Sequence, residues 1–172
     1  WVGETTHNSL LYVAGLTPFT TIDFPGKLAA VIYTQGCPLR CSYCHNPEMQ
    51  CTKPRLQDMP WNDVLDFIKK RAGTLDGVVF SGGEPLLQKH LPEAVRQVKS
   101  LGYSVGLHTS GVYPERFAHI LPLLDWVGFD VKTVFDDYES VTFAPGSGGK
   151  AQRSFELLLE SGVNYEVRTT AD

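Results

Sequence analysis

Outside one stretch of seventeen residues the chain has no cysteine: all four of its thiols lie in QGCPLRCSYCHNPEMQC, residues 35–51. That leaves no framework of distant bridges, and at 172 residues none is required, because a chain of this length buries a sizeable core as one domain. Positive charge is not in surplus either. Fifteen basic against nineteen acidic side chains give a formal charge of −4, so a phosphate-tracking surface has no general electrostatic support and no nucleic-acid partner is expected. Long apolar runs are missing: LAAVIY (28–33) is far short of a bilayer crossing, and ILPLLDWVGF is broken by Pro122 and Asp125, so no membrane span is expected. The first residues, WVGETTHNSLL, carry neither the basic n-region nor the sustained apolar h-region of a secretory signal. A cytoplasmic protein is the expectation. Repeats and low-complexity tracts are also lacking.

What is present is an alternation of short β-rich runs with segments of helical period, the pattern of an α/β fold with a parallel sheet and crossover helices. The runs AAVIYT (29–34), GVVF (77–80), YSVGLHT (103–109), WVGFDV (126–131) and NYEVRTT (164–170) read as five parallel strands. Between them, Trp61, Val64, Leu65 and Ile68 share one helical face, and Leu91, Ala94, Val95, Val98 and Leu101 share another that stops at Gly102. A shorter helix runs from Pro114 to a stop at Pro122, and Phe155, Leu158 and Leu159 make the stripe of a helix closed by Gly162. Ahead of the first strand, LLYVAGL and TTID suggest a small hairpin-like lead-in. Residues 133–149, TVFDDYESVTFAPGSGG, read as a long polar loop.

The polar and glycine-rich clusters all come directly after strands: QGC after VIYT, SGGE after VVF, HTSG after VGL, and Asp130 and Lys132 at the end of VGF. In a parallel barrel or open sheet the carboxyl ends of the strands open on one face, so these clusters converge there.

The cysteines are spaced CxxxCxxC at 37, 41 and 44, with Cys51 seven positions on. Disulfides suit this poorly, since four thiols crowd one tight loop of a cytoplasmic-looking chain. A structural zinc site of four thiolates is a stronger reading, although zinc sites usually pair CxxC units at a distance. The third is an iron–sulfur cluster held by three thiolates, with one iron open to another ligand.

CPLRCSYC resembles the CxxxCxφC signature of radical S-adenosylmethionine (SAM) enzymes, with Tyr43 as the aromatic residue. The resemblance implies a partial (β/α) barrel, normally of six strands, in which Cys37, Cys41 and Cys44 bind a [4Fe-4S] cluster and SAM chelates its fourth iron. It places Tyr43 against the adenine and makes SGGEPLL (81–87) the GGE element, so that Ser81, Gly82 and Gly83 approach the cofactor and Glu84 helps to hold its ammonium. Cys51 matches no position of the signature and is expected to be an ordinary half-buried thiol. His45, directly after the cluster signature, is open between a contact near a sulfur or a partner loop and a plain loop position.

The wider frame is similar to the activating enzymes of glycyl-radical enzymes, above all those of anaerobic ribonucleotide reductase: TIDFPG at 21–26, CHN at 44–46, FSGGEPLLQ at 80–88, GLHTSGVYPER at 106–116 and DVK at 130–132. On this resemblance Asp130 binds a ribose hydroxyl or a monovalent cation, and Lys132 binds the methionyl carboxylate. HTSG departs from the DTNG of other activating enzymes. His108 replaces their Asp and Ser110 their Asn, which weighs against a bound cation and leaves His108 open between contact with the cofactor and a structural place. The implied activity is reductive cleavage of SAM to a 5′-deoxyadenosyl radical that takes a glycine Cα hydrogen from the partner reductase, with a low-potential donor such as a flavodoxin. A small-molecule enzyme of the same fold, such as a 7-carboxy-7-deazaguanine synthase, and a non-catalytic zinc module stay as alternatives. Residues 1–172 are expected to form a single radical SAM domain, with five strands, no sixth, and a shortened C-terminal end.

Overall fold

The computed structural model of the chain describes residues 9–170 apart from 54, 56 and 57. Its spine is a mixed sheet of seven strands. β1 (Tyr12–Thr20), β2 (Ala29–Thr34) and the two-residue β3 (Met59–Pro60) come first. α1 (Trp61–Lys69), β4 (Gly77–Gly82), α2 (Leu91–Ser100) and β5 (Ser104–Thr109) follow. α3 (Pro114–Ile120), β6 (Trp126–Asp130), α4 (Tyr138–Thr142), α5 (Ser147–Ser161) and β7 (Asn164–Arg168) complete the chain.

The order across the sheet is β3-β1-β2-β4-β5-β6-β7, and from β2 to β7 every pairing is parallel. The five expected parallel strands are therefore present, in sequence order, each joined to the next by a crossover. In β2, β4, β5 and β6 the apolar runs are nearly continuous because both faces are covered. Ala30, Ile32, Val78, Phe80, Val105, Leu107, Val127 and Phe129 belong to the main core, together with the α1 and α2 stripes. The alternate residues Ala29, Val31, Val79 and Trp126 face the concave side and close on Phe24. Phe24 comes from the TIDFPG turn between β1 and β2 and stacks on Trp126 with ring centroids 5.7 Å apart. The turn thus forms an apolar floor beneath the carboxyl ends of the strands.

Three expectations are corrected. LLYVAGL is not half of a local hairpin with TTID: it continues to Thr20 as β1 and pairs antiparallel with β2 from Val13↔Thr34 to Thr20↔Ala29. A parallel sheet leaves the backbone of its first strand unpaired on one side, and β1 satisfies that edge. Residues 133–149 are not one loop: they hold a single 3₁₀ turn (Phe135–Asp137), α4 and the start of α5. No apolar periodicity marks these short helices, because one large side chain, Tyr138, anchors them by burial. In α5, Leu159 is exposed, and the buried positions are Ser147, Gly148, Ala151, Ser154 and Leu158. Four of those five are small, which lets the helix approach closely without the large residues that make a stripe readable.

Candidate active site

Four strand ends build one cavity of about 210 Å³. Cys37, Cys41, Tyr43 and Cys44 of the cysteine loop line it with Ser81, Gly82 and Gly83 after β4, His108, Thr109 and Ser110 after β5, and Asp130 and Lys132 after β6. His45, Met49 and Thr170 complete the wall beside the same loop and last strand. The clusters separated in sequence do converge on the carboxyl face.

The cysteine loop is held by hydrogen bonds from polar side chains of the loop and its neighbours. The Gln35 amide, buried beneath it, donates to the Cys51 carbonyl at 2.7 Å and to the Glu48 carbonyl at 3.3 Å, closing the loop on itself. Gln88 ties Gln35 to β1 by donating to the Gln35 and Tyr12 carbonyls and accepting from the Tyr12 N–H. The Arg40 guanidinium donates to the carbonyls of Cys37 and Leu39. Gln35 opens the QGC cluster and Gln88 ends the FSGGEPLLQ match, but no spacing in either marks its glutamine as a tie.

The glycines of SGGE act first on the protein's own backbone. Gly82 has φ +116°, and a Cβ there would collide with the backbone N and O of Thr34. A Cβ on Gly83 would collide with the Gly36 carbonyl. With both absent, Gly83 N–H bonds to Thr34 O and Glu84 N–H to Gly36 O at 2.8 Å, so the β4 loop lies directly along the start of the cysteine loop.

Glu84 departs from its expected place. It is 1% exposed and is not part of the cavity wall. Its Oε1 accepts from Thr109 Oγ1 at 2.7 Å and from Leu86 N–H, and its Oε2 from Ser110 Oγ at 2.6 Å and Ser110 N–H. Burial raises its pKa, and these four bonds pull the other way without cancelling that effect. The carboxylate knots the β4 loop to the β5 loop. Ser110 supplies two of the four donors.

His108 does line the cavity. Its Nδ1 lies 3.2 Å from Ser81 Oγ and its Nε2 3.2 Å from the Asp23 carbonyl, with the ring edge-on to Trp126. Burial lowers its pKa, and the neighbouring Arg168 guanidinium adds to the effect, so the ring is held neutral. Lys132 Nζ is 3.2 Å from Asp130 Oδ2 and 5.9 Å from the centre of the Tyr43 ring. Burial alone would depress its pKa; attraction to Asp130, with Tyr43 and Cys41 contributing, outweighs that and raises it. A protonated amine therefore stands in the cavity with a carboxylate beside it.

All four cysteines are free thiols. Cys51 is exposed, not half-buried as expected, and is not in the cavity wall, so the four thiols do not share one site. Among the described residues no three Cys, His, Asp or Glu groups surround a single point as one bound ion requires. Three thiols spread round one cavity instead suit a group with several metal atoms, each taking one thiolate.

These features place the chain in a class. A radical SAM superfamily pattern matches residues 31–171, and the chain belongs to that superfamily. It is 35% identical over 167 residues to a protein of Methanocaldococcus jannaschii named as a glycyl-radical enzyme activating enzyme, covering 92% of this chain and 67% of that one. It is also 35% identical over 152 residues to a pyruvate formate-lyase-activating enzyme of Clostridium pasteurianum, covering 86% and 61%. Within the superfamily the chain is thus of the glycyl-radical enzyme activating type, and it spans about two thirds or less of the length of these relatives. Among solved structures, QueE from Escherichia coli aligns over 93% of this chain and 94% of its own with a TM-score of 0.52 and 16% identity, a likeness of fold.

Proposed function

We propose that this chain forms the cofactor-binding barrel of an enzyme that cleaves SAM reductively and installs a glycyl radical in a partner enzyme. The observation that carries the reading is the meeting of the Cys37, Cys41 and Cys44 thiols with the protonated Lys132 amine in one cavity at the carboxyl ends of parallel strands. Those thiolates would hold a [4Fe-4S] cluster, which, reduced by an external low-potential donor, would supply the electron for cleavage of SAM to methionine and a 5′-deoxyadenosyl radical able to take a glycine Cα hydrogen from the partner.

The chain's own residues bind and orient. Lys132 pairs with the methionyl carboxylate, and Asp130 holds the amine in place while reaching a ribose hydroxyl. The Tyr43 ring lies against the adenine. Ser81, Gly82 and Gly83 present backbone to the amino-acid end, and neutral His108, its ring nitrogens already engaged by Ser81 and the Asp23 carbonyl, lines the cavity without adding charge. The Phe24–Trp126 floor excludes water from below. Glu84 serves by holding the SGG and TSG turns at fixed spacing.

The proposed partner is anaerobic ribonucleotide reductase, on the strength of the TIDFPG and CHN frame, with a low-potential donor such as a flavodoxin. The pyruvate formate-lyase-activating relative favours a second target, pyruvate formate-lyase. Anaerobic incubation of the reconstituted protein with SAM, a reductant and each candidate in turn, read by electron paramagnetic resonance, separates them. A glycyl radical on the reductase alone is the expected result. A radical only on the lyase would move the assignment there, and 5′-deoxyadenosine made with a radical on neither would point to a small-molecule substrate.

A further inference from the structure

The segment between β6 and α5 carries contacts in two directions. Toward β6, the fully buried Tyr138 hydroxyl accepts from the Lys132 backbone N–H at 3.0 Å and donates to the Asp130 carbonyl at 3.3 Å. One phenol bonded to both groups fixes the two peptides around Val131, and with them the directions in which Asp130 and Lys132 leave the strand end. Toward the cysteine loop, the Thr142 carbonyl accepts from the Arg40 N–H at 2.8 Å, and the Arg40 side chain in turn holds the Cys37 and Leu39 carbonyls. The two ends are locked across one helical turn, since buried Thr142 Oγ1 donates to the Tyr138 carbonyl at 2.9 Å and stands 2.7 Å from Ser147 Oγ. Gly148 lets Phe135 and Tyr138 close over the start of α5, where a Cβ would strike the Phe135 carbonyl.

We propose that residues 135–142 form a clamp that sets the Lys132 amine in register with the cysteine loop, with Tyr138 as the positioning residue. The inference rests on the reading of Lys132 as the partner of the methionyl carboxylate. Tyr138 does not line the cavity; it acts through the backbone of Lys132. Removing its hydroxyl leaves the ring in its packing and frees only the strand end.

The test compares Tyr138→Phe, Thr142→Val, Lys132→Ala and the Tyr138→Phe/Lys132→Ala double variant in cluster-loaded protein. Calorimetry measures affinity for SAM and for 5′-methylthioadenosine, which lacks the amino-acid end, alongside iron content and melting temperature. Tyr138→Phe is expected to keep wild-type iron and affinity for methylthioadenosine while losing roughly three- to tenfold in affinity for SAM, the size of one net hydrogen bond. Thr142→Val should shift affinity the same way, and the double variant should bind SAM no more weakly than Lys132→Ala alone. Equal losses for both ligands, with a lowered melting temperature, would make Tyr138 merely structural and overturn the proposal. Unchanged SAM affinity in Tyr138→Phe beside a loss in Lys132→Ala would overturn the clamp alone, whereas unchanged affinity in Lys132→Ala would overturn the reading on which it rests.

Discussion

Burial pushes the Cys37 thiol up to about 12, and the nearby Glu84 carboxylate adds to the effect. A metal centre needs the thiolate, so loading must displace a tightly held proton, and a site missing one of its three thiolates has little margin. Replacing Cys37, Cys41 or Cys44 by Ala is expected to abolish iron and sulfide retention after anaerobic reconstitution, while Cys51→Ala retains both. Iron lost from Cys51→Ala but kept by one of the other three would contradict the ligand assignment. His108 gives a pH dependence. Its folded pKa lies below the unfolded value of about 6.5, so its contribution to stability is full above that value and is lost as the pH falls through the folded pKa. Melting temperatures recorded from pH 7 down to pH 5 should therefore fall more steeply for the wild type than for His108→Gln. Parallel curves would mean that the ring titrates normally.

At the scale of the element, the β4 loop shows why a glycine pair follows this strand. Its backbone continues the β2–β4 pairing past Thr34 and then takes up the Gly36 carbonyl, which leaves no space for a side chain on either glycine. Gly82→Ala combines a positive φ with a backbone collision and is expected to cost about 3 kcal/mol or more, read by urea denaturation. Gly149→Ala is the control, because a methyl group added to this exposed glycine in α5 would meet nothing within 4 Å and the backbone there is ordinary helix. That change should stabilise by about 0.5–1 kcal/mol. A mild effect at Gly82 would show that the close approach relaxes easily and is not what sets the loop.

For the molecule as a whole, the sheet ends on β7, whose residues 164–167 are exposed and whose far edge carries no partner among the described residues. Central strands β2, β4 and β5 are paired on both sides and buried. Amide hydrogen exchange should rank accordingly, with β7 opening well below the global unfolding energy and β2, β4 and β5 close to it. Protection of β7 equal to that of β4 would show the edge to be covered in solution.

The sequence by itself determined the parallel strands β2, β4, β5 and β6, because strands buried on both faces must be apolar throughout, and runs such as AAVIYT and GVVF have few other ways to satisfy that demand. It also determined that the cysteine, SGG, HTSG and DVK clusters meet, since parallel strands send all their carboxyl ends to one face. Tertiary structure decided what no local pattern encodes. β1 reaches Thr20 because the edge of β2 needs a partner, which the preceding segment supplies by folding back across the TIDFPG turn. Glu84 turns to Thr109 and Ser110 because a buried carboxylate takes whatever donors the fold brings near, and those lie 25 and 26 residues away. Gln35, Gln88 and Tyr138 hold the site through two or three hydrogen bonds each to backbone groups, and such bonds depend on where two segments come to rest rather than on any spacing along either one.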